Sequence, residues 1–306
     1  FRNWLLHGWD LTSVHVHKLV QFFYQAGTPK ALNGYARQYT YEHIIYLLKG
    51  YTSIADSNSI LNPFEWTPAK ERKNIIKLLI YLLYNLSDAI VCNSTSISKH
   101  FKNKYKLNTK TIFPPSIINS FQSSKKIYKK NKTLIIVTVC RLTKEKGLDV
   151  LFQALSLLNF KNYKLLIAGD GAEKLKLKQL SEKLNISNKI KYFGFLKDIR
   201  PLLKLSNLYV NTSYFEGFPN SVVEAINHGI PVICSQSHGG INEILLNGKC
   251  GTIFNNGNSF DLASKIEEYY NNPKEYFLKT KLAKKNIKRF TLRKNILGYE
   301  NLFNKL

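Results

Sequence analysis

From residue 133 onward the chain repeats one pattern, and that pattern narrows the folds open to it more than any other feature. Short runs rich in β-branched residues fall at 133–140, 163–168, 189–193, 207–212, 231–235 and 250–254. Between them lie stretches of helical length, such as 148–158 and 173–184, with apolar residues at helical spacing. A strand followed by a helix before the next strand cannot turn back as a hairpin. It must cross over and pair in parallel, giving β-α-β units and a doubly wound sheet. Three helical segments, 259–270, 273–289 and 291–306, are predicted to close the chain.

The front half is less regular. Strands are predicted at 3–7, 51–55, 89–93 and 109–113, with a helix over 69–86. Pro114-Pro115 stops the last of these strands, and residues 122–132 are polar and lysine-rich, the character of a linker. The predicted organisation is an incomplete Rossmann-like domain over 1–121, a linker at 122–132, a complete α/β domain over 133–289 and a terminal helix from 290 to 306. A chain of 306 residues suits two such domains. With 44% hydrophobic and 21% charged residues, it is neither disordered nor fibrous. The apolar run at 75–86 is interrupted by Lys77 and falls well short of the roughly 20 residues a membrane span requires. Phe1-Arg2-Asn3-Trp4 lacks the layout of a signal peptide, and the chain contains no Met, so a lost front segment is expected.

The net charge is +25, from 38 Lys and 7 Arg against 20 acids. It divides evenly, +12 over 1–130 and +13 over the rest. Nucleic-acid readers favour Arg, whose planar fork fits phosphates and base edges, so no nucleic-acid partner is expected. A compositional bias toward Lys accounts for the charge as well as a polyanion site does, while a basic surface still favours phosphates or an anionic membrane. The four cysteines, at 92, 140, 234 and 250, form no Cys-x-x-Cys pair. Buried, reduced thiols of a cytoplasmic protein are expected, rather than a zinc or redox site.

Open α/β sheets bind ligands at the carboxyl ends of their strands. The loop after the strand at 133–140 carries Arg141, Lys144 and Lys146 ahead of a helix start. Cations and helix dipole together suit a phosphate, although a solvated loop is the other reading of so lysine-rich a sequence. Gly169-Asp170-Gly171 opens like a dinucleotide fingerprint, but Lys174 stands where a third small residue belongs. That departure argues against a nicotinamide enzyme and leaves Gly169 as a tight turn beside a ligand. The loop after 207–212 runs from Ser213 through Glu216 to Ser221 and into a helix carrying Glu224. Two carboxylates so spaced can bracket a polyhydroxylated ligand; a capped helix with two surface acids is the alternative.

Taken together, "CRLTKEKG" at 140–147, "AGDG" at 168–171, "FGF" at 193–195, "EGFPNSVVEA" at 216–225, "GIPVI" at 229–233 and "GGINEIL" at 239–245 form an ordered set. Over 133–256 the chain resembles the donor-binding half of glycosyltransferase family 4. The resemblance implies a GT-B fold, two Rossmann-like doubly wound domains facing a cleft, the first incomplete here. It implies that Arg141 and Lys146 neutralise the donor diphosphate, that Glu216 contacts the donor sugar, and that Glu224 holds the ribose hydroxyls. Gly217, Phe218 and Asn220 match positions whose backbone surrounds sugar and phosphates, and Gly194 and Phe195 fall in the loop bordering the base. Cys140 departs from the Gly usual at its position, which would tighten the approach to the donor. His7, in Trp4-Leu5-Leu6-His7-Gly8, matches an element that faces the donor sugar; His15 and His17 compete with it. The family's first strands and glycine-rich loop have no counterpart in the chain.

The resemblance thus implies a retaining transferase moving a hexose or N-acetylhexosamine from a UDP- or GDP-sugar to a glycan or lipid-linked acceptor. Such enzymes build surface polysaccharide or lipopolysaccharide at the cytoplasmic membrane face, which makes peripheral contact with anionic lipid a candidate interaction. The seven Asp residues form no Asp-x-Asp pair, so transfer without metal or other cofactor is expected, with fixed cations stabilising the leaving diphosphate. A GT-B sugar-nucleotide epimerase and a non-enzymatic nucleotide-sugar or polyanion-binding protein are the rival readings.

Overall fold

The computed structural model describes Tyr84 and residues 87–117, 128–129 and 132–305. His7, His15, His17, the expected front strands at 3–7 and 51–55 and most of the helix over 69–86 lie outside the described residues. The chain packs as two compact units. The larger holds Asn93–Ser96 and Phe113–Glu300. The described part of the smaller pairs β1 (Ile90–Cys92) in parallel with β2 (Thr109–Thr111) across α1 (Thr95–Tyr105). Its core is Tyr84, Phe101 and Leu107.

The larger unit is built on a six-stranded parallel sheet. These strands are β3 (Leu134–Val139), β4 (Tyr163–Ala168), β5 (Ile190–Tyr192), β6 (Leu208–Asn211), β8 (Val232–Ser235) and β10 (Thr252–Phe254). They are the six strands expected after residue 133. The helices between them are α2 (Leu148–Leu157), α3 (Lys174–Lys183), α4 (Arg200–Leu205), α5 (Asn220–Asn227) and α6 (Ile241–Ile244). Then come α7 (Ser259–Asn271), α8 (Pro273–Asn286) and α9 (Leu292–Phe303). Two short strands that the pattern does not announce, β7 (Phe215–Glu216) and β9 (His238–Gly239), pair beside the main sheet.

Successive side chains of a strand point to opposite faces, and both faces here are covered. Leu134 and Ile136 of β3 and Leu165 and Ile167 of β4 pack with Leu151, Leu155 and Ile266 on one side. Val137, Leu166 and Tyr209 pack with Val222, Val223 and Ile226 on the other. Each such side chain, removed from water, stabilises the fold by about 1.5–3 kcal/mol. Pro273 starts α8, where its missing N–H costs nothing. The expected helix at 273–289 breaks at Asn286 into a 3-10 turn, Ile287–Phe290, which buries Ile287 and Phe290. Ile117 then pairs with Thr291, tying the segment after Pro114-Pro115 to the start of α9. Among the described residues no helix is long and apolar enough to cross a membrane.

Candidate functional site

The strand order decides where a ligand can enter. From β3 the chain proceeds outward through β4 and β5, then returns to β6 on the other side of β3 and runs out through β8 and β10. The connections leaving β3 and β6 therefore diverge from adjacent strand ends, and such a switch point leaves a crevice at the carboxyl edge. Those are the loops singled out for Arg141, Lys146 and Glu216.

The β3 loop is laced to both neighbours. Cys140 N–H donates to the Ala168 carbonyl (3.1 Å) and Leu142 N–H to that of Asp170 (2.9 Å). On the other side Tyr214 N–H donates to the Glu145 carbonyl (2.8 Å) and Thr212 Oγ1 to the Lys146 carbonyl (2.9 Å). Lys144–Lys146 forms a 3-10 turn that ends at Gly147, whose φ is +60°. A Cβ at Gly147 would lie 2.4 Å from the Thr212 carbonyl oxygen, so only glycine lets the two loops close on each other.

That closure brings Lys146 Nζ to 3.0 Å from Glu216 Oε1, across 70 residues of chain. Ser213 Oγ donates to the same oxygen at 2.7 Å and Asn211 Nδ2 at 3.3 Å. Glu216 is further fixed by the pairing of β7 with β9, which sets it opposite Gly239. The Lys146 and Glu216 side chains are only 13% and 12% exposed. Ions taken this far from water cost several kcal/mol, which their mutual attraction at best repays, so the pair is not explained by net stability. Its value is a fixed cation and a fixed carboxylate at the mouth of the crevice. Cys140 beneath them has its thiol pushed up to about 11, chiefly by burial; Lys146 opposes that rise and Glu216 adds to it.

Arg141 stands half-buried at the head of the same loop. Glu224 lies on α5, four residues after its first residue, half-buried like Asn220 and Ser221, while Val222, Val223, Ala225 and Ile226 face the core. The Asn220 side chain accepts from Ser116 Oγ (2.5 Å), and Phe218 packs against Phe113 and Phe290 with ring centroids 5.9 and 4.9 Å away. Phe218 is thus committed to packing, and Oδ1 of Asn220 to the Ser116 hydroxyl. Gly169 N–H donates to the Gly194 carbonyl (2.7 Å), which leans the β5 loop on the β4 loop, and Phe195 projects 75% exposed beyond it. Cys140 is half-buried and packs against the core below this loop.

Sequence reasoning missed Asn211, Thr212 and Ser213, which position Lys146 and Glu216. All three are buried. The signal was a polar triplet closing an apolar strand, where burial demands partners.

Residues 119–289 match the family described as glycosyl transferases group 1. The chain belongs to that family. An uncharacterized glycosyltransferase of Methanocaldococcus jannaschii is 33% identical over 199 residues, which cover 60% of this chain and 48% of that protein. A lipopolysaccharide core biosynthesis glycosyltransferase of Rhizobium meliloti is 24% identical over 207 residues, 65% of this chain and 58% of that one. The chain spans about half the length of the first curated relatives it matches. Among solved structures, Anabaena HepE in complex with UDP superposes with a TM-score of 0.68 at 21% identity, covering 79% of this chain and 70% of that chain. At that identity the likeness establishes the fold: this group 1 chain is an α/β protein of the GT-B class.

Proposed function

We propose that the chain moves a hexose or N-acetylhexosamine from a UDP- or GDP-sugar to a glycan or lipid-linked acceptor, as a retaining, metal-independent transferase of family 4. The observation that carries this reading is the buried Lys146–Glu216 pair at the β3/β6 switch point. As the sugar–phosphate bond breaks, negative charge grows on the departing diphosphate, and preorganised positive charge lowers the barrier most when it needs no rearrangement. Lys146 and Arg141 supply that charge. All three bonds to Glu216 converge on Oε1. Oε2 is the oxygen that accepts from a donor-sugar hydroxyl, while Glu224 takes the ribose hydroxyls. The neighbour that binds UDP and the relative in lipopolysaccharide core synthesis support the donor and the acceptor class respectively.

The test separates phosphate from nucleoside. Arg141→Ala is expected to weaken UDP or GDP at least tenfold while leaving the corresponding nucleoside within about twofold, since a charge-assisted contact to phosphate contributes about 1.5–3 kcal/mol. Equal losses for nucleotide and nucleoside would remove the diphosphate clamp. Retention is read from the anomeric configuration of the product, and metal independence from turnover in the presence of chelator.

A further inference from the structure

The even division of charge between the two halves of the chain conceals a concentration. Residues 273–294 hold nine Lys and Arg and a single acid, Glu275, so this segment supplies +8 of the total +25. Glu275 is engaged by Lys279 at 2.9 Å. Most of the segment is α8, whose Tyr276, Thr280 and Ala283 are buried against the rest of the unit. The opposite face carries Lys274, Leu278, Lys281, Leu282 and Lys285, all exposed. Lys288, Arg293 and Lys294 follow, exposed as well. Leu278 and Leu282, one turn apart, are 59% and 52% exposed in the middle of these cations.

A stripe of lysine alone is what any lysine-rich protein shows to water. Here two large apolar side chains stand one turn apart on the same exposed face, so the stripe has an apolar centre flanked by cations. A helix with apolar residues flanked by Lys suits the boundary of a lipid bilayer. The leucines enter the acyl region, and the long lysine stems reach back to place their ammonium groups among lipid phosphates. Lysine, a compact charge without the planar fork of Arg, serves a diffuse anionic surface well. The dominance of cations selects an anionic leaflet over a neutral one.

We propose that the exposed face of α8 docks this chain on an anionic lipid surface, with Leu278 and Leu282 inserted and Lys274, Lys281 and Lys285 against the headgroups. The proposal is independent of the donor reading, since none of the residues on the exposed face of α8 is among those assigned to the donor.

Cosedimentation with large unilamellar vesicles tests it, comparing pure phosphatidylcholine with vesicles containing about 30 mol% phosphatidylglycerol. The wild-type chain is expected to bind the anionic vesicles and to be released as salt rises. Lys281→Gln/Lys285→Gln should weaken the partition by up to about fivefold per lysine. Leu278→Gln/Leu282→Gln should weaken it several-fold at unchanged charge, with its affinity for immobilised heparin unaltered. All three proteins should keep the same circular dichroism and the same melting temperature. Equal binding to both vesicle types, or absence of binding, would overturn the proposal. So would a leucine variant that binds anionic vesicles as well as the wild type, because the face would then be a site for soluble polyanions such as RNA.

Discussion

Two lysine–carboxylate pairs stand at strand ends of the same sheet, each with an Nζ···O distance of 3.0 Å, and their environments differ completely. Lys174 and Asp170 follow β4; they are four residues apart and their side chains are 38% and 52% exposed. Lys146 and Glu216 join the loops after β3 and β6, with 13% and 12% exposed. In the first, water screens the charges and replaces either partner when the other is lost. In the second, two buried donors already crowd the same carboxylate oxygen, and loss of one ion leaves the other in a poor solvent. Separation alone therefore says little about a charge pair. Burial and the surrounding donors distinguish a surface contact from a prepared site.

The largest effect that would sharpen this contrast is on Lys146→Ala. It should lower stability by about 3 kcal/mol in urea unfolding, because Glu216 is left buried without its counter-ion. Lys174→Ala should leave the melting temperature unchanged. Equal shifts in the two variants would erase the distinction.

Glu216→Gln keeps the shape and removes the charge. The account predicts at least a hundredfold loss in kcat/KM with a UDP- or GDP-sugar, but affinity for the free nucleotide within a few fold of wild type. A variant that loses nucleotide and transfer in parallel would place Glu216 on the phosphates instead of the sugar.

Glycine substitutions extend the comparison through the backbone, to the loops after β3 and β5. Gly147→Ala combines φ +60° with a 2.4 Å approach to the Thr212 carbonyl oxygen, and should cost about 2–3 kcal/mol. Gly194→Ala has φ +66° with open space around the new methyl, so only the backbone preference of about 1 kcal/mol is expected. Similar costs at both positions would mean that the loops after β3 and β6 are not closed on each other.

A last contrast is a pH dependence, small near neutral pH and confined to alkaline solution. Burial pushes the thiols of Cys140 and Cys92 up to about 11 from an ordinary value of 9.0. The folded chain therefore keeps them protonated where the unfolded chain ionises them. Their contribution is fully present below pH 9 and lost as pH rises from 9 to 11. The urea midpoint should be flat from neutral pH to about 8.5 and fall above it. In Lys146→Ala, Cys140 loses the cation that favours its thiolate, so its reaction with a disulfide reagent at alkaline pH should slow.

Much of this architecture is legible in the residues because parallel strands buried on both faces must be continuous apolar runs. The inner strands appear that way, Leu134–Val139 and Val232–Ser235 among them, whereas the edge strand Ile190–Tyr192 carries an exposed Lys191 and is legible only from its place in the alternation. The two-residue strands at Phe215–Glu216 and His238–Gly239 leave no such trace, since their pairing is set by the loops around them. Lys146 and Glu216 are visible as motif residues, yet their union is not, because it depends on Gly147 closing one loop onto another. Asn211 and Ser213 escape notice for a similar reason: a polar residue at a strand end reads as the exit to solvent until its burial is seen. The break of α8 at Asn286 is invisible for a different reason. Ile287 and Phe290 continue an apolar pattern, while the tightened turn answers to packing against the core.

The most direct test of the central claim is calorimetric titration of the chain with UDP and with GDP, chelator present throughout, in wild type, Lys146→Ala and Lys174→Ala. The account predicts saturable binding of one nucleotide, lost in Lys146→Ala and unchanged in Lys174→Ala. Binding that survives Lys146→Ala, or that falls equally in both variants, would contradict it.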